Sequence, residues 1–557
     1  MSQTGISNDR KIKQECSLQR KLWFSFSLGF LFSFLYTAGH PLDNYDSVNL
    51  TEGLFYTKWL AGSVPAAAAL FLIWEIMDRI RRGSGQIGRI CNMIQKKIPF
   101  SLPGWACVCI LLGCWLPAWL SLFPGAFSYD ALAEWEQVRD GVITAHHPVI
   151  HVLWLGGLVE GIHALTGSYN AGIAVYTFSQ MVILAVIFSC TLRFLDDFHV
   201  PGILQWLSLL FYGLSPVMQL FSISATKDVL FSGVLLLFLQ QLIRLCCRGE
   251  IYFQGIKSWL AFGTIAFLSM ILRNNGLYIT LGTFLVLLLR MKKYRKKIGL
   301  VLLGICVAYG MYIGPFYGML DVARGGIEEM LSVPIQQMAR VHRYGFDSLD
   351  EEDLDIVYQV LPKEYLDDYR ATVSDFVKKG FQRDAFETYK KDMIRIWGKW
   401  GMAHPLTYVN SFLVNTVDFW YPHAVIDGYK DVYGKSSYFD YKVDKPGSEV
   451  VLLPGLHQYY EQISFDRQAQ RAPFAFLVLS PGWYRVVAMP VVGFVWRIRR
   501  YEFVAPGALF VFSILTVLLG PMALVRYVLI FYYGFPVLLA IDLQPIHLYG
   551  ECHEIFL

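Results

Sequence analysis

The chain has 557 residues, 55% hydrophobic and 17% charged, with a net charge of +4 and a mean hydropathy of +0.41. Soluble domains carry roughly 45–50% apolar and about 25% charged residues, so this composition excludes a cytosolic enzyme, a disordered chain and a nucleic-acid binder. The apolar excess sits in blocks of about 17–24 residues, the length that crosses a hydrocarbon core of ~30 Å.

In chain order, the expected spans cover residues 22–38, 59–77, 105–123, 171–194, 203–221, 229–246, 259–272, 276–289, 298–315, 481–496, 504–519 and 524–541. The first reads as a signal anchor, because no small-x-small cleavage site follows it. Lys11, Lys13, Arg20 and Lys21 precede it and place the N-terminus in the cytoplasm. Asp43, Asp46 and Glu52 then fall outside, and Arg79, Arg81, Arg82, Arg89, Lys96 and Lys97 inside. Arg244 and Arg248, the cluster from Arg290 to Lys297, and Arg497, Arg499 and Arg500 also fall inside, as does the C-terminus. This alternation holds only if the apolar segment 149–165, which carries His151, Glu160 and His163, does not cross. It reads as a re-entrant or surface helix on the outer face.

The expected fold class is an all-α polytopic membrane protein with about twelve transmembrane helices, external juxtamembrane helices and a mainly helical extracytoplasmic domain. Its parts are a cytosolic segment 1–21, a transmembrane module 22–315 with an external loop 124–170, the extracytoplasmic domain 316–472, and C-terminal spans with a cytosolic tail over 473–557. None of the ten cysteines lies in 316–472, so that domain folds without disulfides. No paired C-x-x-C units offer a zinc site.

Four groups of residues stand out. Ser128 is placed to cap a helix ending near Gly141, with Asp130 in its first turn and Glu134 one turn on. Two such carboxylates suit a general base and its partner, although an acidic first turn also complements the helix dipole. Next come His146, His147 and His151 around Pro148, which suits the first position of a helix. His147 and His151 would share a face, but the pair has no third ligand, so a substrate contact or a plain turn outranks a metal. Third, Lys227, Arg273, Arg485 and Arg526 sit at the outer ends of spans, against the charge bias. Charge at membrane depth is costly and usually faces a cavity. Their common side suggests an anionic ligand such as phosphate; the alternative is snorkelling or a local pair, as between Lys227 and Asp228. Last, Gln336, Arg340 and the run from Asn415 to His423 mix aromatics, amides and charge, which suits either a sugar or an ordinary domain core. There is no P-loop, G-x-S-x-G or dinucleotide fingerprint, and the cytosolic loops are short. The donor is therefore expected to be lipid-borne.

Ser128-Tyr129-Asp130, His146-His147-Pro148 and Arg526-Tyr527, in this layout, resemble the GT-C superfamily of membrane glycosyltransferases, such as the protein O-mannosyltransferases and aminoarabinose transferases. Lys227-Asp228, Arg273-Asn274-Asn275-Gly276 and Pro334-Ile335-Gln336-Gln337 look closest to an uncharacterised bacterial branch of it. The chain differs in having three spans before the motif loop, a lone acidic residue in the motif, and the soluble domain inserted before the last spans. The resemblance implies transfer of a sugar from a polyprenyl-phosphate donor to an envelope glycan, lipid or protein, on the outer face of a bacterial plasma membrane. By the same resemblance Asp130 is the base. Lys227, Arg273 and Arg526 hold the donor phosphate. Glu134, His146, His147, His151, Asp228, Asn274, Tyr527, Gln336 and Arg340 position substrates. No cofactor is required, and a divalent cation is left open. The rival readings are a lipid-linked glycan flippase and a diphosphate-lipid-dependent polymerase or ligase.

Overall fold

The computed structural model describes residues 3–82, 98–128, 130–424, 442–485 and 503–542, with positions 86, 93, 439 and 488. Among the described residues the regular structure is helical, and strand pairing is limited to isolated bridges. Seven helices among the described residues are long and apolar enough to cross a membrane, or eight if one bent pair counts as a span. The expected span at 481–496, with the cations from Arg497 to Arg500, lies almost wholly outside the described residues.

Helices α1 (Gln3–Tyr45) and α2 (Gly53–Arg82) form a hairpin. Helix α3 (Gly104–Ser121) leads into a loop, the short α4 (Ala131–Arg139), α5 (Val149–Thr166) and the long α6 (Tyr169–Asp197). The single span expected at 203–221 is two helices, α7 (Gly202–Leu214) and α8 (Pro216–Ser222), bent by 55°. The cause is local: Pro216 has no N–H, and it forces Ser215 into an extended conformation. Helix α9 (Lys227–Tyr252) runs through the core, with a break at Gly249. Helices α10 (Ile256–Ile271) and α11 (Gly276–Arg290) follow as a tight pair. A Cβ at Gly276 would lie 1.8 Å from the Ser269 carbonyl oxygen, so only glycine closes this turn. The turn carries Arg273. Helix α12 (Arg295–Met311) completes this half.

Helix α5 is long and apolar enough for a span. Its packing sets it near one end of the bundle. Its His151 and Trp154 meet Tyr176, a Cβ on Gly172 would meet Val159, and His163 stacks on Tyr169 at 3.6 Å. These partners fall in the first two turns of α6. The next residue of α6, Thr177, accepts from Trp119 near the end of α3 at 3.0 Å. The other end of α5 meets Tyr312, whose hydroxyl lies 3.2 Å from the Ile150 N–H, just past α12. Helix α5 thus lies across one end of the bundle, where α3 stops.

A second hydrophobic core, around Val341, Val357, Leu366, Val377 and Ile396, belongs to a helical unit at that same end. It contains α13 (Ser332–Tyr344), α14 (Glu351–Val360), α15 (Arg383–Ala403) and α16 (Pro405–Trp420). Asn410 holds both polar groups of Val48, at 2.7 and 3.0 Å, beside α1. The Ser374 N–H donates to Pro521 O at 2.9 Å, and Asn415 to Gly520 O at 3.2 Å. Those contacts pin the unit to the turn between α17 (Val504–Val517) and α18 (Leu529–Asp542). Arg526 sits in the single turn before α18.

Candidate active site

The loop after α3 is anchored by its backbone. Ala126 accepts from Ala225 at 2.7 Å and donates to Ile223 at 3.0 Å, and Phe127 O accepts from Asp444 at 2.9 Å. This sets Asp130 against the start of α9. Helix α4 begins at Ala131, so Asp130 is its N-cap residue, not a first-turn residue capped by Ser128 as expected. Its side chain makes no capping bond and turns instead to cations. Likewise Pro148 stands just before α5 and not in its first position.

Lys227 is the centre of the group. Its ammonium donates to Asp130 Oδ2, to Glu134 Oε1 at 3.3 Å and to His147 Nδ1 at 3.2 Å. Arg526 Nη1 donates to the same Asp130 Oδ2 at 3.0 Å. Arg526 Nε also lies 3.6 Å from Asp228 Oδ2, and Arg273 Nε lies 3.1 Å from Asp228 Oδ1. Asp228 is fully buried between the two guanidinium groups. The neighbours Lys227 and Asp228 therefore take partners from different parts of the chain. The Arg273 guanidinium stacks 4.4 Å from the Tyr527 ring, and Asn274 donates to the carbonyls of Ala145 and His146 at 3.3 and 3.4 Å.

Burial alone would push the Asp130 carboxyl up, yet Arg526, Lys227 and His147 hold it well below the usual range. Glu134 is similarly opposed by burial and then brought down to about 2 by His151 and Lys227. Burial and the adjacent Lys227 charge push the His147 imidazole down to about 4. At neutral pH the site therefore holds two carboxylates and an uncharged imidazole against Lys227.

These residues line one wall of a cavity of about 1220 Å³ between the bundle and the helical unit. The wall includes Asp130, His146, His147, Lys227, Arg273, Asn274, Arg526 and Tyr527. Glu134, His151 and Asp228 stand behind it as buried partners. Gln336 and Arg340 are elsewhere: Gln336 binds the carbonyls of Arg370 and Ala371, and Arg340 binds the Tyr369 hydroxyl and the Asp46 carbonyl. Arg485 is sealed between the Phe419 and Phe531 rings, with the Phe419 carbonyl as acceptor. The opposite wall is a roof that sequence reasoning did not identify, with Glu328, Glu329, Asp375, Lys378, Lys379, Arg383 and Asp384. Tyr176 and Gln180, buried behind His151, were also not anticipated; their only signal is polar residues at i, i+4 on an apolar helix.

Ligand atoms of Asp130, Glu134 and His147 lie within 4.8 Å of one another, a grouping of the size that binds a metal. Lys227 Nζ bonds to all three, so the ammonium takes the position such an ion would need.

A family profile described as a family of unknown function (DUF6020) matches residues 138–446, more than half of the chain, and the chain belongs to that family. No curated protein and no solved structure matches it.

Proposed function

We propose that this member of the DUF6020 family is a membrane glycosyltransferase that moves a sugar from a polyprenyl-phosphate donor to an envelope acceptor. The observation that carries this reading is the sharing of Asp130 Oδ2 by Lys227 and Arg526 on the wall of one large cavity. Three cations, Lys227, Arg273 and Arg526, meet at that wall, where a donor phosphate would take over hydrogen bonds they now give to Asp130 and Asp228.

In this reading the acceptor hydroxyl gives its proton to Asp130, on Oδ1, the oxygen outside both ion pairs. The acceptor oxygen bonds to the anomeric carbon, the bond from that carbon to the phosphate oxygen breaks, and the electron pair leaves with the lipid phosphate. Lys227, Arg273 and Arg526 meet the charge that develops there. A donor phosphate that draws Lys227 and Arg526 toward itself also releases Asp130 to act as a base. His147 and Asn274 position the sugar or the acceptor. The same reading makes α5 a juxtamembrane helix, gives about twelve spans, and puts the cavity and helical unit on the extracytoplasmic side of a bacterial plasma membrane. The charges that face the cavity gather at one end of the bundle, unlike a transport path through both leaflets.

The test is Asp130→Asn in purified protein supplied with a polyprenyl-phosphate sugar and candidate acceptors. Wild type should consume donor only when an acceptor is present, and the variant should lose roughly 100-fold or more of the rate while melting normally. Undiminished transfer by the folded variant rejects Asp130 as the base.

A further inference from the structure

Behind the cavity wall runs a chain of buried polar groups whose hydrogen-bond directions can be solved from one end. Gln180 Nε2 faces the carbonyls of Ser222 at 3.0 Å and Ser224 at 2.8 Å. The reverse amide orientation would set oxygen against oxygen, so Gln180 Oε1 is the atom that faces Tyr176 OH at 3.1 Å. Tyr176 therefore donates its proton to Gln180. Its oxygen must then accept from His151 Nε2 at 2.8 Å, so that ring nitrogen carries hydrogen. His151 Nδ1 and Glu134 Oε2 hold the next proton between them. Glu134 uses its other oxygen to accept from Lys227. The three ammonium hydrogens of Lys227 are then taken by Asp130, Glu134 and His147 Nδ1. His147 Nδ1 is thereby an acceptor, and the neutral ring carries its hydrogen on Nε2.

We propose that Tyr176 and Gln180 are positioning residues of this site: through His151 and Glu134 they fix Lys227 against Asp130 and leave His147 Nε2–H as a hydrogen-bond donor for a ligand in the cavity. All four relay side chains are at most 1% exposed, and they come from three helices. The Ser222 carbonyl ends α8 and the Ser224 carbonyl lies between α8 and α9, just ahead of Lys227. Gln180 thus ties both ends of the relay to the residue it serves. The effect on ligand affinity rests on the lipid-phosphate reading above; the proton arrangement does not.

Two measurements separate these. Nitrogen NMR of isotope-labelled histidines in the ligand-free protein should show His147 neutral with hydrogen on Nε2, and His151 with hydrogen on Nε2. Tyr176→Phe, which keeps the ring, should move the His151 signals. It should also weaken polyprenyl phosphate binding by about 5–10-fold, the scale of one buried hydrogen bond left unmade. Combined with Glu134→Gln, the loss should be no greater than that of the stronger single variant, because both act through Lys227. Unmoved His151 signals, or losses that multiply, in protein that melts like wild type would overturn the proposal. Should Tyr176→Phe fail to fold, Gln180→Met removes the amide and carries the same test. Wild type that binds no polyprenyl phosphate would reject the lipid-phosphate reading, while the nitrogen spectra still decide the relay.

Discussion

The floor of the cavity draws its charges from positions 130, 227, 228, 273 and 526, whereas the roof takes its own from the stretch between Glu328 and Asp384. Three floor charges, Lys227, Asp228 and Arg526, are buried, and Arg273 and Asp130 are only 14 and 29% exposed. On the roof Glu329, Asp375 and Arg383 are 42, 44 and 59% exposed, and only Lys378 is buried. Taking a charge out of water costs several kcal/mol, so each floor charge is held by reciprocal partners. Roof pairs in contact with water contribute little to stability. The roof sets four carboxylates against three bases. In the proposed reading the floor cations meet the lipid phosphate, and the roof is a wet polar wall for a hydroxyl-rich acceptor.

Substitutions should separate the two walls. The largest effect is expected from Asp228→Asn, which leaves Arg273 and Arg526 without their buried counter-charge. It should cost about 3–5 kcal/mol in equilibrium unfolding in detergent. A loss below about 1 kcal/mol would place Asp228 among the ordinary surface pairs. Next, Arg526→Gln should reduce polyprenyl phosphate affinity by roughly 10–100-fold, the scale of a charge-assisted hydrogen bond. On the roof, Arg383→Ala and Lys379→Ala should leave that affinity within about two-fold, as surface pairs do, and act on the acceptor KM instead. A roof variant that abolished donor binding would erase the distinction.

The two walls also differ in pH dependence. His147 is held at about 4 against an ordinary 6.5, so acid protonates the unfolded chain before the native one. Stability should therefore decline as pH falls from 6.5 toward 4. Glu134, held at about 2 against 4.5, contributes stability above 4.5 that is lost as pH falls toward 2. Both act in the same direction. His147→Gln should flatten the upper part of the decline in thermal melts at stepped pH, and an unchanged profile would show that His147 is not the group responsible.

Much of this was legible in the sequence because membrane-depth charge is rare. Lys227, Arg273 and Arg526 announced themselves by position alone, and the cavity brings them together with Asp130. Arg485 had the same signature, yet two phenylalanine rings and a carbonyl account for it. Position along a span does not tell which face a side chain takes. The break at Pro216 and the closure at Gly276 follow from local chemistry. Helix α5 satisfies the length and apolarity of a span, and only its partners on α6 show where it lies. Gln336 and Arg340 had the right chemistry in the wrong place, since their backbone partners are set by tertiary packing. The pairing of Lys227 with Glu134 and of Asp228 with Arg273 joins residues 93 and 45 positions apart, which no local pattern encodes.

The most direct test of the central claim is to map where a photoreactive polyprenyl phosphate attaches. Peptides around Asp130, Arg273 and Arg526 should carry the label, and Arg526→Gln should remove it without loss of fold. Labelling confined to other helices, or unchanged in that variant, would contradict the account.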